Sequence, residues 1–505
     1  MTAPLSVLTR LPGWAALLLC ALAGALIPFS FAPFNLWPLG MAGLLAFVLL
    51  LHGRSGRSAW ARAWAFGVGL YGVGVSWIYI SIHTYGNASA PLAATMMGLF
   101  ILFVAFVFSL PFYVYGRWFS RHRLGPLLAF PSLYLLGEWL RGWLLTGFPW
   151  LYLGYGHIDT WLAGWAPVLG VLGVSTVVLL TVGALGHGLL TASPRHWKPW
   201  LPLLVAAALW PTGLALQHAE WTEPVGKPIS VGMVQPNIPQ ELKWDPSFVQ
   251  PTLERLDTLS EGLWENDWLI WPEAAIPKVY HQMLPYLNKL NDRAEETNTG
   301  LITGIIFDDA QKRAYYNSIV GLGPALGIYH KRRLVPFGEY VPLEAQLRGL
   351  IDFFDLPTSI INQGPWDQRG LQVGSVGISA LICYEVVYPD LVAHSARENQ
   401  VLLTISNDAW FADSIGPLQH MQMARMRALE TRRPMIRATN NGVSAFVDHH
   451  GHIEKRAEQF VQTNLEGVIQ PRRGNTPFMV WGSWPVVVFC GLLLILLCLW
   501  RRRSV

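Results

Sequence analysis

Apolar residues run almost unbroken through roughly the first two hundred positions and the last twenty-five, while between about 221 and 478 they fall into short β-branched clusters. A helix crossing a bilayer needs roughly 20 apolar residues. The long runs predict eight such spans, near 11–31, 36–51, 61–82, 92–115, 124–145, 162–190, 199–216 and 484–500. The central stretch alternates two periods. Strands are expected at 229–234, 268–271, 301–307, 316–321, 326–330, 376–383, 401–406, 436–439, 444–448 and 465–469, and helices at 248–263, 281–297, 391–398 and 418–432. Interleaving of this kind argues for a layered α/β domain, and roughly 250 residues are enough to bury a core of its own. The expected organisation is a membrane bundle over 1–218 with seven helices, an α/β domain over 219–480, and an eighth span with an arginine-rich tail over 481–505.

Charge orients this pattern. Arg54 and Arg57, then Arg117, Arg121 and Arg123, then Arg195 and Lys198, and finally Arg501 to Arg503 occupy alternate connections, while 83–90 and 147–160 hold almost no Lys or Arg. By the positive-inside rule both termini face the cytoplasm and the α/β domain faces outward. The first span exceeds the h-region of a cleaved signal peptide and lacks a small-residue cleavage site, so it reads as retained. Composition agrees: 52% of residues are hydrophobic and 13% charged, against roughly 25% charged in soluble domains. Mean hydropathy is +0.33. The net charge of +4 comes from the loop arginines and does not point to nucleic acid.

Two features of the apolar half need weighing. Gly67-Val68-Gly69-Leu70-Tyr71-Gly72 matches the dinucleotide fingerprint. It lacks the preceding strand and the later acidic residue, so close helix packing is the better reading. Glu138 and Arg141 stand at i,i+3 inside the fifth span, where charge is costly. They read either as an internal pair stapling the bundle or as a contact for a lipid headgroup.

The candidate chemistry lies in the α/β stretch. A buried-type run from Gly377 delivers Cys383 where it breaks before Tyr388-Pro389. Free cysteine often merely packs. Of the four cysteines, however, Cys20, Cys490 and Cys498 fall in spans, leaving Cys383 alone in an outward domain. A lone thiol in an oxidising compartment is better explained by chemistry. A cysteine nucleophile needs a base and an oxyanion stabiliser. Glu273, stopped at a strand lip by Pro272, and Lys331, just past Tyr329-His330, are the candidates, although either alone reads as a solvated loop charge.

In order and spacing, Trp271-Pro272-Glu273, then Tyr329-His330-Lys331 with Pro336-Phe337-Gly338-Glu339, then Ile382-Cys383-Tyr384-Glu385 resemble the three signatures of the nitrilase superfamily. Fuller strings, 234–240 with Lys243-Trp244, 334–342 and 406–411, are similar to those of the apolipoprotein N-acyltransferase family. Ser406 stands where threonine is also usual, and a hydroxyl is kept. The resemblance covers essentially the whole chain. It implies an αββα sandwich and a Glu-Lys-Cys triad on Glu273, Lys331 and Cys383. Supporting or substrate-binding roles fall to Trp244, Glu339, Tyr384 and Glu385. It further implies an inner-membrane enzyme of bacteria with a periplasmic catalytic domain and no cofactor. Such an enzyme takes an acyl chain from a phospholipid, typically phosphatidylethanolamine, to the α-amino group of a lipoprotein's S-diacylglyceryl cysteine.

Residue chemistry then suggests Glu273 as the base, Lys331 as the cation favouring thiolate and oxyanion, and a thioester on Cys383. The apolar stretch 347–354 reads as a lid dipping into the bilayer or as ordinary surface packing. His449, His450 and His452 suit a hairpin turn better than a metal site. Other classes remain open: a membrane-tethered amidohydrolase of the nitrilase type, and a transporter or lipid receptor for which Cys383 is dispensable.

Overall fold

The computed structural model describes residues 11–191, 197–336, 338–340 and 361–503, so the stretch 347–354 lies outside the described residues. The chain divides into two compact units. One comprises Met1–Ala219, Asp413–Gln422 and Trp481–Val505, and the other Glu220–Ala412 and Met423–Val480.

The first unit is helical because its long apolar runs lack period-2 alternation and a helix satisfies its main-chain groups internally. Among the described residues, Gly13–Ser30, Ala90–Phe119, Trp161–Thr191 and Lys198–Gln217 are long and apolar enough to cross a membrane. Gly56–Gly74 and Ile78–Tyr85 together form a pair bent by 64°, and Trp37–Leu51 and Trp484–Trp500 are shorter apolar helices. The stretch holding Glu138 is a helix over Phe130–Arg141. Glycine lets the helices close: a Cβ on Gly69 would fall 1.9 Å from the Ala21 carbonyl oxygen, which assigns the 67–72 string to helix packing. Asp413–Gln422 contributes polar glue to this unit. Gln419 Oε1 accepts from Trp150 Nε1 at 2.7 Å and from Trp77 Nε1 at 3.3 Å.

The second unit is a two-sheet sandwich. Its strands are β1 (Glu223–Pro224), β2 (Ile229–Gln235), β3 (Trp268–Ile270), β4 (Ile276–Val279), β5 (Gly300–Asp309), β6 (Ala314–Leu322), β7 (Ala325–Leu326) and β8 (Ile328–His330). Then come β9 (Leu371–Val373), β10 (Val376–Ile382), β11 (Val401–Ser406), β12 (Met435–Thr439), β13 (Ala445–Val447), β14 (Ile453–Arg456), β15 (Thr463–Ile469) and β16 (Arg472–Arg473). One sheet runs β15-β2-β3-β5-β6-β8 with β4 beside β5, the other β14-β13-β12-β11-β10-β9-β7, and β1 pairs with β16. Inside each sheet a parallel core, β2-β3-β5 or β10-β11-β12, is flanked by antiparallel strands.

Val231, Met233, Ile270 and Ile302 of the first sheet meet Ile378, Ala380, Ile382, Leu403, Ile405 and Ile436 of the second in one buried cluster. Each such side chain contributes roughly 1.5–3 kcal/mol, against about 1 kcal/mol for a net hydrogen bond. Burial therefore sets the strand positions and hydrogen bonds set their register. The outer face of the first sheet is covered by Val249–Ser260 and Leu284–Thr297, whose Leu256, Leu287 and Leu290 cluster with Leu269 and Trp271. Pro389–Ala396 packs on β10 at the other face. Helices outside two stacked sheets make the αββα arrangement. Strands β1, β4, β9, β14 and β16 have no counterpart in the sequence expectation. Each is short, and β14 (Ile-Glu-Lys-Arg) is a charged edge with no apolar alternation.

Candidate active site

Three strand ends carry the expected triad. Strand β3 stops at Ile270, and Trp271 is fully buried with its Nε1 donating to Ser260 Oγ at 2.9 Å. Pro272 offers no N–H, which frees the chain to turn and leaves Glu273 just beyond the sheet. Only glycine fits below this turn. A Cβ on Gly304 would lie 2.6 Å from both the Ala274 nitrogen and the Pro272 oxygen. Lys331 follows β8 and donates its N–H to the Asn317 carbonyl at 2.8 Å. Cys383 follows β10 with φ +50°, a left-handed conformation that a non-glycine residue holds only when its surroundings impose it. Its side chain is partly exposed and packs against the inter-sheet core.

A polar network joins the first two residues. Lys331 Nζ lies 2.8 Å from Glu339 Oε1 and 3.5 Å from Glu273 Oε1. Asn317 Nδ2 bridges the two carboxylates, donating to Glu273 Oε1 at 2.8 Å and to Glu339 Oε1 at 3.0 Å. The Asn407 N–H, just past β11, donates to Glu273 Oε2 at 2.7 Å. Val335 N–H fixes Glu339 Oε2 at 2.8 Å. Glu273 is thus held as an oriented acceptor, with both oxygens engaged by donors.

The electrostatics of the thiol differ from the sequence expectation. Burial pushes Cys383 up to about 12, Glu273 adds to the rise, and the lowering by Lys331 is outweighed. Resting Cys383 is therefore a neutral thiol at neutral pH, and the thiolate must be made by proton transfer. Burial alone would lower the Lys331 ammonium, but Glu339 and Glu273 reverse this and hold it above the ordinary lysine range, so it stays charged.

Of the supporting residues, Glu385 is the most informative. Fully buried, its carboxylate accepts from the N–H groups of Ile382 (2.8 Å), Arg332 (2.6 Å) and Arg333 (3.2 Å), and twice from Tyr329 Oη at 3.0 Å. Ile382 precedes Cys383 and Arg332 follows Lys331, so one carboxylate staples two of the strand ends. Glu385→Ala is expected to leave several buried donors unpaired, costing about 1–3 kcal/mol. Thermal unfolding of the purified protein reads that loss, and an unchanged transition would remove the stapling role. Tyr384 is buried and meets Tyr388 edge-on with ring centroids 5.3 Å apart. Trp244 is half exposed. Sequence reasoning did not single out Asn317, Asn407 or Lys243. The last two lay inside the quoted strings without a role, whereas Asn317 carries no local signal at all.

The histidines sit between β13 and β14, with Asp448 Oδ1 accepting from the N–H groups of His450 and His452 at 2.8 Å each. Glu220, His449 and His450 bring ligand atoms within 4.8 Å of one another. Arg472 Nη2 already pairs with Glu220 at 3.0 Å, and Arg432 Nη1 donates to His450 Nδ1. Two guanidinium groups oppose a divalent cation there, and the set reads as a hydrogen-bonded hairpin. In the helical unit, Glu138 Oε1 accepts from Leu153 N–H at 2.9 Å, and Arg141 Nη1 donates to the carbonyls of Phe148 and Trp150. Both therefore anchor the irregular stretch after their helix through its main-chain groups, and among the described residues they do not form the ion pair expected between them.

Residues 230–473 match the carbon-nitrogen hydrolase family model. Fold and site thus define a nitrilase-type domain with a thiol, a carboxylate and an ammonium at its strand ends. Residues 23–184 match the model for the apolipoprotein N-acyltransferase N-terminal domain. The apolipoprotein N-acyltransferase of Pseudomonas syringae pv. tomato is 46% identical over 491 residues, covering 95% of this chain and 96% of that one. That of Azotobacter vinelandii is 47% identical over 506 residues (98% and 96%), and that of Vibrio vulnificus 40% over 497 (96% of each). The chain belongs to the apolipoprotein N-acyltransferase family.

Proposed function

We propose that this chain N-acylates apolipoproteins in two half-reactions through a thioester on Cys383. It is an acyltransferase of lipoprotein maturation that takes a lipid donor and a lipoprotein acceptor, and its apolar helices are those of a membrane protein. The observation that carries the mechanism is the presence at strand ends of a partly exposed Cys383 thiol, a Glu273 carboxylate oriented by Asn317 and Asn407, and a Lys331 ammonium paired with that carboxylate.

In the first half-reaction Glu273 takes the thiol proton as sulfur attacks an ester carbonyl of the phospholipid, for which phosphatidylethanolamine is the expected donor. The oxyanion forms among positive charge and collapses as the C–O bond breaks, and Glu273 returns its proton to the departing alkoxide oxygen, so the lysophospholipid leaves as an alcohol and Glu273 is a carboxylate again. In the second, Glu273 takes a proton from the attacking α-amino group of the diacylglyceryl cysteine. The C–S bond breaks and the thiol is restored. Glu339 and Asn317 keep Lys331 and Glu273 aligned, and Trp244 and Tyr384 are offered as substrate contacts.

The proposed architecture is a bundle of seven spans over 1–218, the catalytic domain over 219–480, and an eighth span over 481–505. Both termini lie in the cytoplasm of a bacterial inner membrane and the catalytic domain lies in the periplasm. The alternation of arginine-rich and arginine-poor connections supports this orientation.

The test supplies purified protein in detergent with acyl-labelled phosphatidylethanolamine and a diacylglyceryl-cysteine peptide. Label is expected on the peptide's α-nitrogen, and, without peptide, in a hydroxylamine-sensitive bond at Cys383 located by mass spectrometry. Release of ammonia from small amides without acyl transfer would instead identify an amidohydrolase.

A further inference from the structure

We propose that Lys243 is a catalytic residue of the first half-reaction, its ammonium group supplying the uncommitted positive charge that meets the oxyanion at Cys383. The inference rests on the thioester reading above and adds a second lysine to it.

Lys331 is already spoken for. Its Nζ is flanked by Glu339 at 2.8 Å and Glu273 at 3.5 Å, so two carboxylates share its charge. Lys243 is buried, with 5% of its surface exposed, and its Nζ donates to the Glu273 main-chain carbonyl at 3.0 Å. Among the described residues this is its one hydrogen-bond acceptor, whereas an ammonium carries three donors. A buried charge is costly unless it is matched, and among the described residues no carboxylate binds this one directly. A transient anion at the neighbouring sulfur supplies the match only while the reaction runs, which is the condition for lowering a barrier rather than merely binding.

The loop holding Lys243 is fixed to the site. Asn407, which orients Glu273, donates through Nδ2 to Gln240 Oε1 at 2.7 Å, and Ile238 N–H donates to Asn440 Oδ1 at 2.9 Å. The charged groups that act on it are Glu273 and Cys383, and Glu273 is itself paired with Lys331 at 3.5 Å. Burial brings the Lys243 ammonium down to about 8, against the raising pull of Glu273 and Cys383. It is therefore mostly charged at neutral pH and loses its proton a little above it.

The experiment follows thioester formation on Cys383 from labelled phosphatidylethanolamine in a single turnover without acceptor, between about pH 6 and pH 10. Omitting the acceptor keeps the amine's own titration out of the profile. In the unaltered protein the rate should fall through an alkaline limb centred near 8. Lys243→Gln retains an N–H donor for the Glu273 carbonyl but not the charge, and should slow acylation by about 10²-fold. Lys243→Arg keeps the charge at every pH, and should retain activity within about tenfold while losing the limb. Lys243→Gln at the unaltered rate, or Lys243→Arg with the limb still near 8, would overturn the assignment. Alkylation of Cys383 by iodoacetamide, alongside the unfolding transition, serves as the check that each variant is folded. Transfer that persists in Cys383→Ala would instead overturn the thioester reading itself, so the two failures are distinguishable.

Discussion

Cys383→Ala is expected to abolish both half-reactions, with loss of at least about 10⁴-fold in acyl transfer, because no other group can form the covalent intermediate. The protein should remain folded. The side chain is partly exposed, so its removal opens little core volume, although its contact with the inter-sheet cluster predicts a small fall in the unfolding temperature. Alanine also inherits the left-handed φ of +50° and gains no relief from that strain. Cys383→Ser should acylate very slowly, since a hydroxyl needs a stronger base than Glu273. The decisive measurement is labelled lipopeptide formed by purified Cys383→Ala, and turnover above background would contradict the nucleophile assignment.

Glu273→Gln is expected to move two measurements in opposite directions. Removing the general base should slow thioester formation by about 10²–10⁴-fold. Removing its negative charge should at the same time bring the Cys383 thiol down from about 12, since burial and Glu273 are the leading reasons it is raised and Lys331 already opposes them. The sign follows from the charges: a nearby anion disfavours thiolate, so its loss favours thiolate. Alkylation by iodoacetamide near pH 8 should therefore be faster in the variant than in the unaltered protein. In the unaltered protein, alkylation should keep accelerating with pH toward about 12. Slower acylation with faster alkylation separates a proton-transfer role from simple thiol activation. If both rates fell together, Glu273 would instead be holding the local fold.

The chemistry was legible where it coincides with strong local punctuation. Pro272 breaks the chain at the lip of β3 with a carboxylate beside it, and the apolar run of β10 ends directly on a thiol, residue types with few reasons to stand there. The parallel strands β2, β3, β10 and β11 read plainly because strands buried on both faces are near-continuous apolar runs. The long apolar helices read plainly because a bilayer tolerates little else. Their number by length and hydropathy was less plain. Trp37–Leu51 and Trp484–Trp500 are short, and Gly56–Gly74 bends before Ile78–Tyr85.

What sequence by itself determined, then, was the class of chain and the strand ends, with Glu273, Lys331 and Cys383 as the candidate side chains they carry. All of these follow from local composition, from period and from resemblance along the whole length. Only the tertiary structure decided how those side chains share charge. Asn317 bridges two carboxylates that lie 44 and 22 residues away in the chain, and the Asn407 N–H reaches Glu273 across 134 residues. The thiol's rise to about 12 likewise depends on the desolvation its surroundings impose and on the charge of Glu273. The same burial leaves Lys331 flanked by two carboxylates, while among the described residues Lys243 meets a single acceptor. Electrostatic coupling depends on through-space distance and desolvation, and neither is encoded in spacing along the chain.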